Sequence, residues 1–77
     1  MKKVQIYGTG CPKCRALTAN VEAAARELGI EIELDKVTGI RDIAAAGVLM
    51  TPGLAVDGEI KSTGHLLSVQ QVKNLLT

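Results

Sequence analysis

The chain has 77 residues, a net charge of +1 and 47% hydrophobic content, with Tyr7 as its only aromatic residue. That size predicts a single domain over residues 1–77 with an aliphatic core, near the lower end of what folds without several disulfides or a metal. Interspersed acids and bases leave no basic stripe for nucleic acid and no polybasic patch for a membrane surface, and no apolar run approaches the ~20 residues that span a bilayer.

Lys3 to Tyr7, with Val4, Ile6 and Tyr7, reads as a strand ending at Gly8. From Pro12 the period changes. Cys14, Leu17, Val21, Ala24, Ala25 and Leu28 recur at helical spacing, with Arg15, Thr18, Glu22 and Arg26 on the other face. Gly29 stands where a left-handed cap ends a helix. Ile30, Ile32 and Leu34 alternate with Glu31, Glu33 and Asp35, which predicts a strand at or near a sheet edge. Thr38 is the expected N-cap of a short helix that turns Ile40, Ile43 and Ala44 inward and ends near Gly47. Leu54–Val56 and Glu59–Lys61 flank Asp57-Gly58, a two-residue hairpin signal. Ser68 and Gln71 form a capping box ahead of the apolar stripe Val69, Val72, Leu75 and Leu76. The order β-α-β-α-β-β-α predicts an α/β fold. Its first two strands are parallel through a right-handed crossover, and the mixed four-stranded sheet is flanked by three helices.

Thr9-Gly10-Cys11-Pro12-Lys13-Cys14 contains the only two cysteines, at the junction of the first strand and first helix. Their spacing places both thiols on one side of the first helical turn, where a disulfide closes with little backbone movement. So short a bridge stabilises a fold by only about 2 kcal/mol and ties no distant segments together. The pair therefore suits chemistry better than stapling. At the N-cap, the Cys11 sulfur can accept the unpaired N–H groups of Lys13 and Cys14, and the helix dipole favours its thiolate. Pro12 suits the first helical position, and Lys13 and Arg15 bring positive charge near the sulfur. Cys14 begins the apolar stripe and should be buried and protonated. These features assign Cys11 as the nucleophile and Cys14 as the resolving thiol of thiol–disulfide exchange. The sequence also admits a soft-metal (Cu or Zn) chaperone or sensor using the same two thiols, and a module that binds partners according to its redox state. Thr51-Pro52, just before the hairpin, is expected to be a cis bond that turns the Thr51 backbone toward the cysteines, where an extended substrate could pair with it.

These segments resemble the thioredoxin/glutaredoxin superfamily, and most closely its small redox-active disulfide proteins of archaea and bacteria. The likeness rests on Gln5 to Cys14, on Leu28-Gly29-Ile30 and on Thr51 to Glu59, and it extends over essentially the whole chain. It implies a minimal thioredoxin-like fold, a nucleophilic Cys11, a resolving Cys14 and a cis-proline at Pro52. Cys-Pro-x-Cys is closer to the glutaredoxin pattern. Thioredoxins carry Trp before the first cysteine and a buried acid six positions before it; here Gly10 and Gln5 stand there. Ser62-Thr63-Gly64-His65 lacks the Gly-Gly and following acid with which glutaredoxins hold glutathione.

The expected activity is that of a protein disulfide oxidoreductase in electron transport, with no organic cofactor and no metal. Its partners would be disulfide-containing proteins or small molecules and a separate reductase. A monomer is expected, and the cytoplasm is the expected compartment because Lys2 and Lys3 precede a short alternating segment and not a signal-peptide apolar region. Tyr7 is a weaker candidate for a hydroxyl directed at the thiols, Lys13 a better one than the turn residue His65, and Met50 is expected in the core or a groove wall.

Overall fold

The computed structural model describes residues 2–77. The elements are β1 (Lys2–Tyr7), α1 (Pro12–Leu28), β2 (Ile32–Val37), α2 (Ile40–Ala45), β3 (Gly53–Val56), β4 (Glu59–Thr63) and α3 (Val69–Leu76). The sheet order is β2-β1-β3-β4, with β1 parallel to β2 and antiparallel to β3, and β3 antiparallel to β4. This is the predicted mixed sheet, and β2 lies at its edge as its alternating acids require.

Alternation along β1 and β3 sorts the core into two layers. Val4, Ile6, Leu54 and Val56 face α1 and α3, where they pack with Leu17, Val21, Ala24, Val72 and Leu76. On the opposite face Tyr7 and Ala55 pack with Ile43 of α2 and with Val48. Two helices thus cover one face and one short helix the other. Both layers are aliphatic except for the Tyr7 ring, and their burial is the main favourable term of the fold.

Local chemistry sets the joints. Gly29 is left-handed (φ 67°), and the N–H groups of Gly29 and Ile30 bond back to the carbonyls of Arg26 and Ala25, a Schellman closure. The Ile30 N–H is thereby committed to the helix end, so β2 starts at Ile32, two residues later than the alternation suggests. Asp57 (φ 52°) and Gly58 (φ 85°) both take positive φ, as the tightest hairpin turns require. Lys61 is an extra residue in β4, because Leu54 pairs with Ser62 while Ala55 pairs with Ile60. Ser68 and Gln71 exchange the reciprocal bonds of the capping box, at 3.2 and 2.9 Å. The Thr51–Pro52 peptide bond is cis.

Four expectations are corrected. Thr18 is buried, because α1 lies flat enough on the sheet to cover a stripe wider than the apolar residues alone; its hydroxyl is satisfied by the Cys14 carbonyl at 3.0 Å. Gly39, not Thr38, caps α2, and no side chain bonds its first turn. With six residues, α2 presents only Ile43 to the sheet, so Ile40 and Ala44 are exposed. Met50 is exposed as well and belongs to neither core layer; it covers Gly64, whose open Cα side it closely approaches.

Candidate active site

The dithiol is positioned by the way β1 hands over to α1. The Gly8 N–H donates to the Val37 carbonyl at 3.0 Å, which keeps the chain on the sheet one residue past β1. Gly10 then turns it with φ 88°, a conformation that disfavours any side chain there. Cys11 is extended and caps the helix, Pro12 occupies the first helical position, and the first intrahelical bond runs from Arg15 N–H to the Cys11 carbonyl. One turn further in, Cys14 points back at the end of β1. It can do so because Gly8 has no side chain: a Cβ there would collide with the Cys14 Sγ. In the sequence Gly8 signals only the end of a strand, so this function of the glycine was missed.

Both cysteines are free, with their Sγ atoms 2.6 Å apart. Their surroundings differ. Cys11 is half-exposed and accepts the Cys14 N–H at 3.3 Å. The Cys14 thiol hydrogen bond and that N–H hold the Cys11 thiol below the ordinary cysteine range, against a smaller opposing effect of burial. Cys14 is only 5% exposed, and burial, followed by its hydrogen bond to Cys11, pushes its thiol up. One sulfur is thus tuned toward thiolate and its neighbour toward thiol. Lys13 is exposed, and its backbone N–H is among the groups that favour the Cys11 thiolate. Arg15 donates from Nε to the Gly10 carbonyl at 3.1 Å, which ties its guanidinium to the turn before the cysteines.

Thr51 and Pro52 come to the same end of the molecule. An apolar cleft is lined by Thr9, two residues before Cys11, together with Ile40, Val48, Leu49 and Thr51. Pro52 is buried, its carbonyl accepting the Gly64 N–H at 2.8 Å, whereas Thr51 is exposed. Leu49, 91% exposed, adds a large apolar side chain to this rim. Tyr7 does not send its hydroxyl to the thiols. It bonds Gln5 at 3.2 Å, two residues back along β1, while its ring is buried on the α2 face. Its role is packing. His65 is exposed, and among the described residues no group of three or more His, Cys, Asp or Glu side chains is placed to hold a metal.

Fold and site together define a thioredoxin-like α/β protein with a paired-thiol centre at the start of its first helix. A family model described as a thioredoxin domain matches residues 2–77. The chain is 46% identical over 77 residues to a thioredoxin of Methanothermobacter thermautotrophicus, covering all of both chains. It is 45% identical over 76 residues to a thioredoxin of Methanocaldococcus jannaschii, covering 99% of this chain and 87% of that one. The chain belongs to the thioredoxin-domain family, and its class is that of the thiol–disulfide oxidoreductases.

Proposed function

We propose that this protein reduces disulfides of proteins or small molecules through a reversible Cys11–Cys14 disulfide. The Cys11 thiolate attacks one sulfur of the partner disulfide, forming a mixed disulfide and releasing the other partner sulfur as a thiolate. Cys14 loses its proton and attacks Cys11, closing the Cys11–Cys14 bond and releasing the remaining partner thiol. Two electrons have then passed to the partner, and a separate reductase must return them before the next cycle. The observation that carries this reading is the asymmetry of the pair: a half-exposed sulfur capped by the Cys14 N–H lies beside a buried one whose thiol burial pushes up.

The cleft beside Cys11 supports a substrate that docks as an extended segment. Thr51 makes no backbone hydrogen bond among the described residues, so its N–H and C=O are available to a strand laid beside Pro52. Leu49 and Ile40 offer apolar contact to residues flanking the partner's cysteine. The cytoplasm is the compartment that suits such a reductant, since thiols there are kept reduced. Among the described residues no third His, Cys, Asp or Glu gathers with the two thiols to hold a metal.

The test is a pair of variants assayed on a disulfide-bonded protein. Cys11→Ser should abolish turnover, and Cys14→Ser should accumulate a mixed disulfide at Cys11, seen by non-reducing electrophoresis and mass. Full turnover by Cys11→Ser would reject the assignment.

A further inference from the structure

The two thiols open onto different spaces. Cys11 caps the helix at the surface, whereas Cys14 forms part of the wall of a cavity of about 170 Å³ between α1 and β2, which Cys11 does not line. Gly8 and Gly10 keep this space open by lacking side chains, and Ile6 and Thr18 close its inner side. Among the described residues its charged lining is Arg15 from α1 and Lys36 from β2; β1 contributes none, and no carboxylate lines it. Lys36 is paired in register with Ile6, which places it on the α1 side of the sheet. Among the described residues it has no ion-pair partner. Gln5, paired with Ala55 on the opposite face of the sheet and bonded to Tyr7, takes no part in this cavity.

A buried thiol that must ionise during each cycle needs a path for its proton and compensation for its charge. We propose that this cavity is the route by which Cys14 gives up its proton to water, and that the Lys36 ammonium on its wall stabilises the Cys14 thiolate for the resolving step. Lys36 is then a positioning residue that acts through Cys14. In that step the Cys14 S–H proton passes to water, and the thiolate attacks the Cys11 sulfur. The Cys11–Cys14 bond forms, the bond from Cys11 to the partner breaks, and the partner departs as a thiolate that takes up a proton from solvent. Arg15 contributes in the same sense from α1 but is anchored to the Gly10 carbonyl, which leaves Lys36 as the freer charge. Burial of Cys14, which raises its thiol, makes such compensation effective at neutral pH. The inference rests on the assignment of Cys14 as the resolving thiol.

The experiment follows a single resolving step. Reduced protein is treated at acidic pH with 5,5′-dithiobis(2-nitrobenzoate) to place one nitrothiobenzoate on Cys11. The pH is then raised, and release of the second nitrothiobenzoate is followed by stopped-flow absorbance. Removing this cation should slow resolution by Lys36→Met roughly threefold at neutral pH, since the smaller thiolate fraction is only partly offset by higher nucleophilicity. Above the Cys14 pKa the same variant should be faster than the unmodified chain, so the two pH profiles cross. Lys36→Arg should follow the unmodified chain. Superimposable profiles, or equal slowing by Lys36→Met at every pH, would overturn the role of Lys36. Failure of the unmodified chain to release the second nitrothiobenzoate would instead overturn dithiol exchange itself, and this inference with it.

Discussion

Cys11 and Cys14 are separated by two residues and by opposite electrostatic environments. The first accepts hydrogen bonds at a helix start, and the second is buried one turn inside. Because the thiolate is the species that alkylates, the sign of each shift predicts a pH dependence. Iodoacetamide should modify Cys11 at a pH below that needed for a free cysteine. In Cys11→Ser, Cys14 should react slowly and only at higher pH, since burial favours its neutral form. Mass-resolved alkylation rates across pH check both, and reversal of the order would contradict the assigned roles. Much of this asymmetry was legible in Cys11-Pro12-Lys13-Cys14, because an N-cap, a proline at the first helical position and the start of an apolar stripe are local signals. Thr18 was not legible. Its burial depends on how closely α1 lies on the sheet, and a threonine that bonds its own helix carbonyl satisfies its hydroxyl without leaving a trace in the hydropathy pattern.

At the scale of elements, the joints decide where the chemistry sits. The β1–α1 junction works because Gly8 lets the Cys14 sulfur lie against the end of β1, and Gly8 itself is not in the left-handed region, so only space is at issue there. Gly8→Ala should therefore overpack this contact and destabilise the protein by about 1–3 kcal/mol in urea denaturation. The same variant should expose Cys14 to alkylation; unchanged stability and protection would show that the contact is unimportant. Periodicity located β1, β2, α1 and α3, while the Asp57-Gly58 turn located β3 and β4 and the glycine signal at Gly47 bounded α2. Its errors fell where tertiary or capping geometry intervened. The Schellman closure at Gly29 delayed β2, and Gly39 displaced Thr38 as the cap of α2. The brevity of α2 left Ile40 outside, beside the cleft that the proposed function uses.

On the scale of the whole molecule, the fold is held by two aliphatic layers on either side of the sheet and not by the cysteine pair. The disulfide would close a loop of only a few residues, so the oxidised and reduced proteins should differ by no more than about 2 kcal/mol in unfolding free energy. Parallel urea titrations of the two forms check this, and unfolding of the reduced form under native conditions would contradict it. No helix among the described residues is long and apolar enough to cross a membrane. The thioredoxin-like order of elements was legible because glycines mark most of the junctions between strands and helices. The cavity behind Cys14 was not, because Lys36 and Thr38 join the β1–α1 residues of its wall only through the pairing of β2 with β1.

The proposed cycle requires that Cys11 and Cys14 interconvert reversibly between dithiol and disulfide. It is tested most directly by equilibrating the purified, metal-free protein in dithiothreitol buffers of stepped potential and counting free thiols by alkylation and mass. A single reversible two-electron transition, with a slope of about 30 mV per decade, is the expected result. Failure to form the intramolecular disulfide, or its formation only under harsh oxidation, would contradict the assignment.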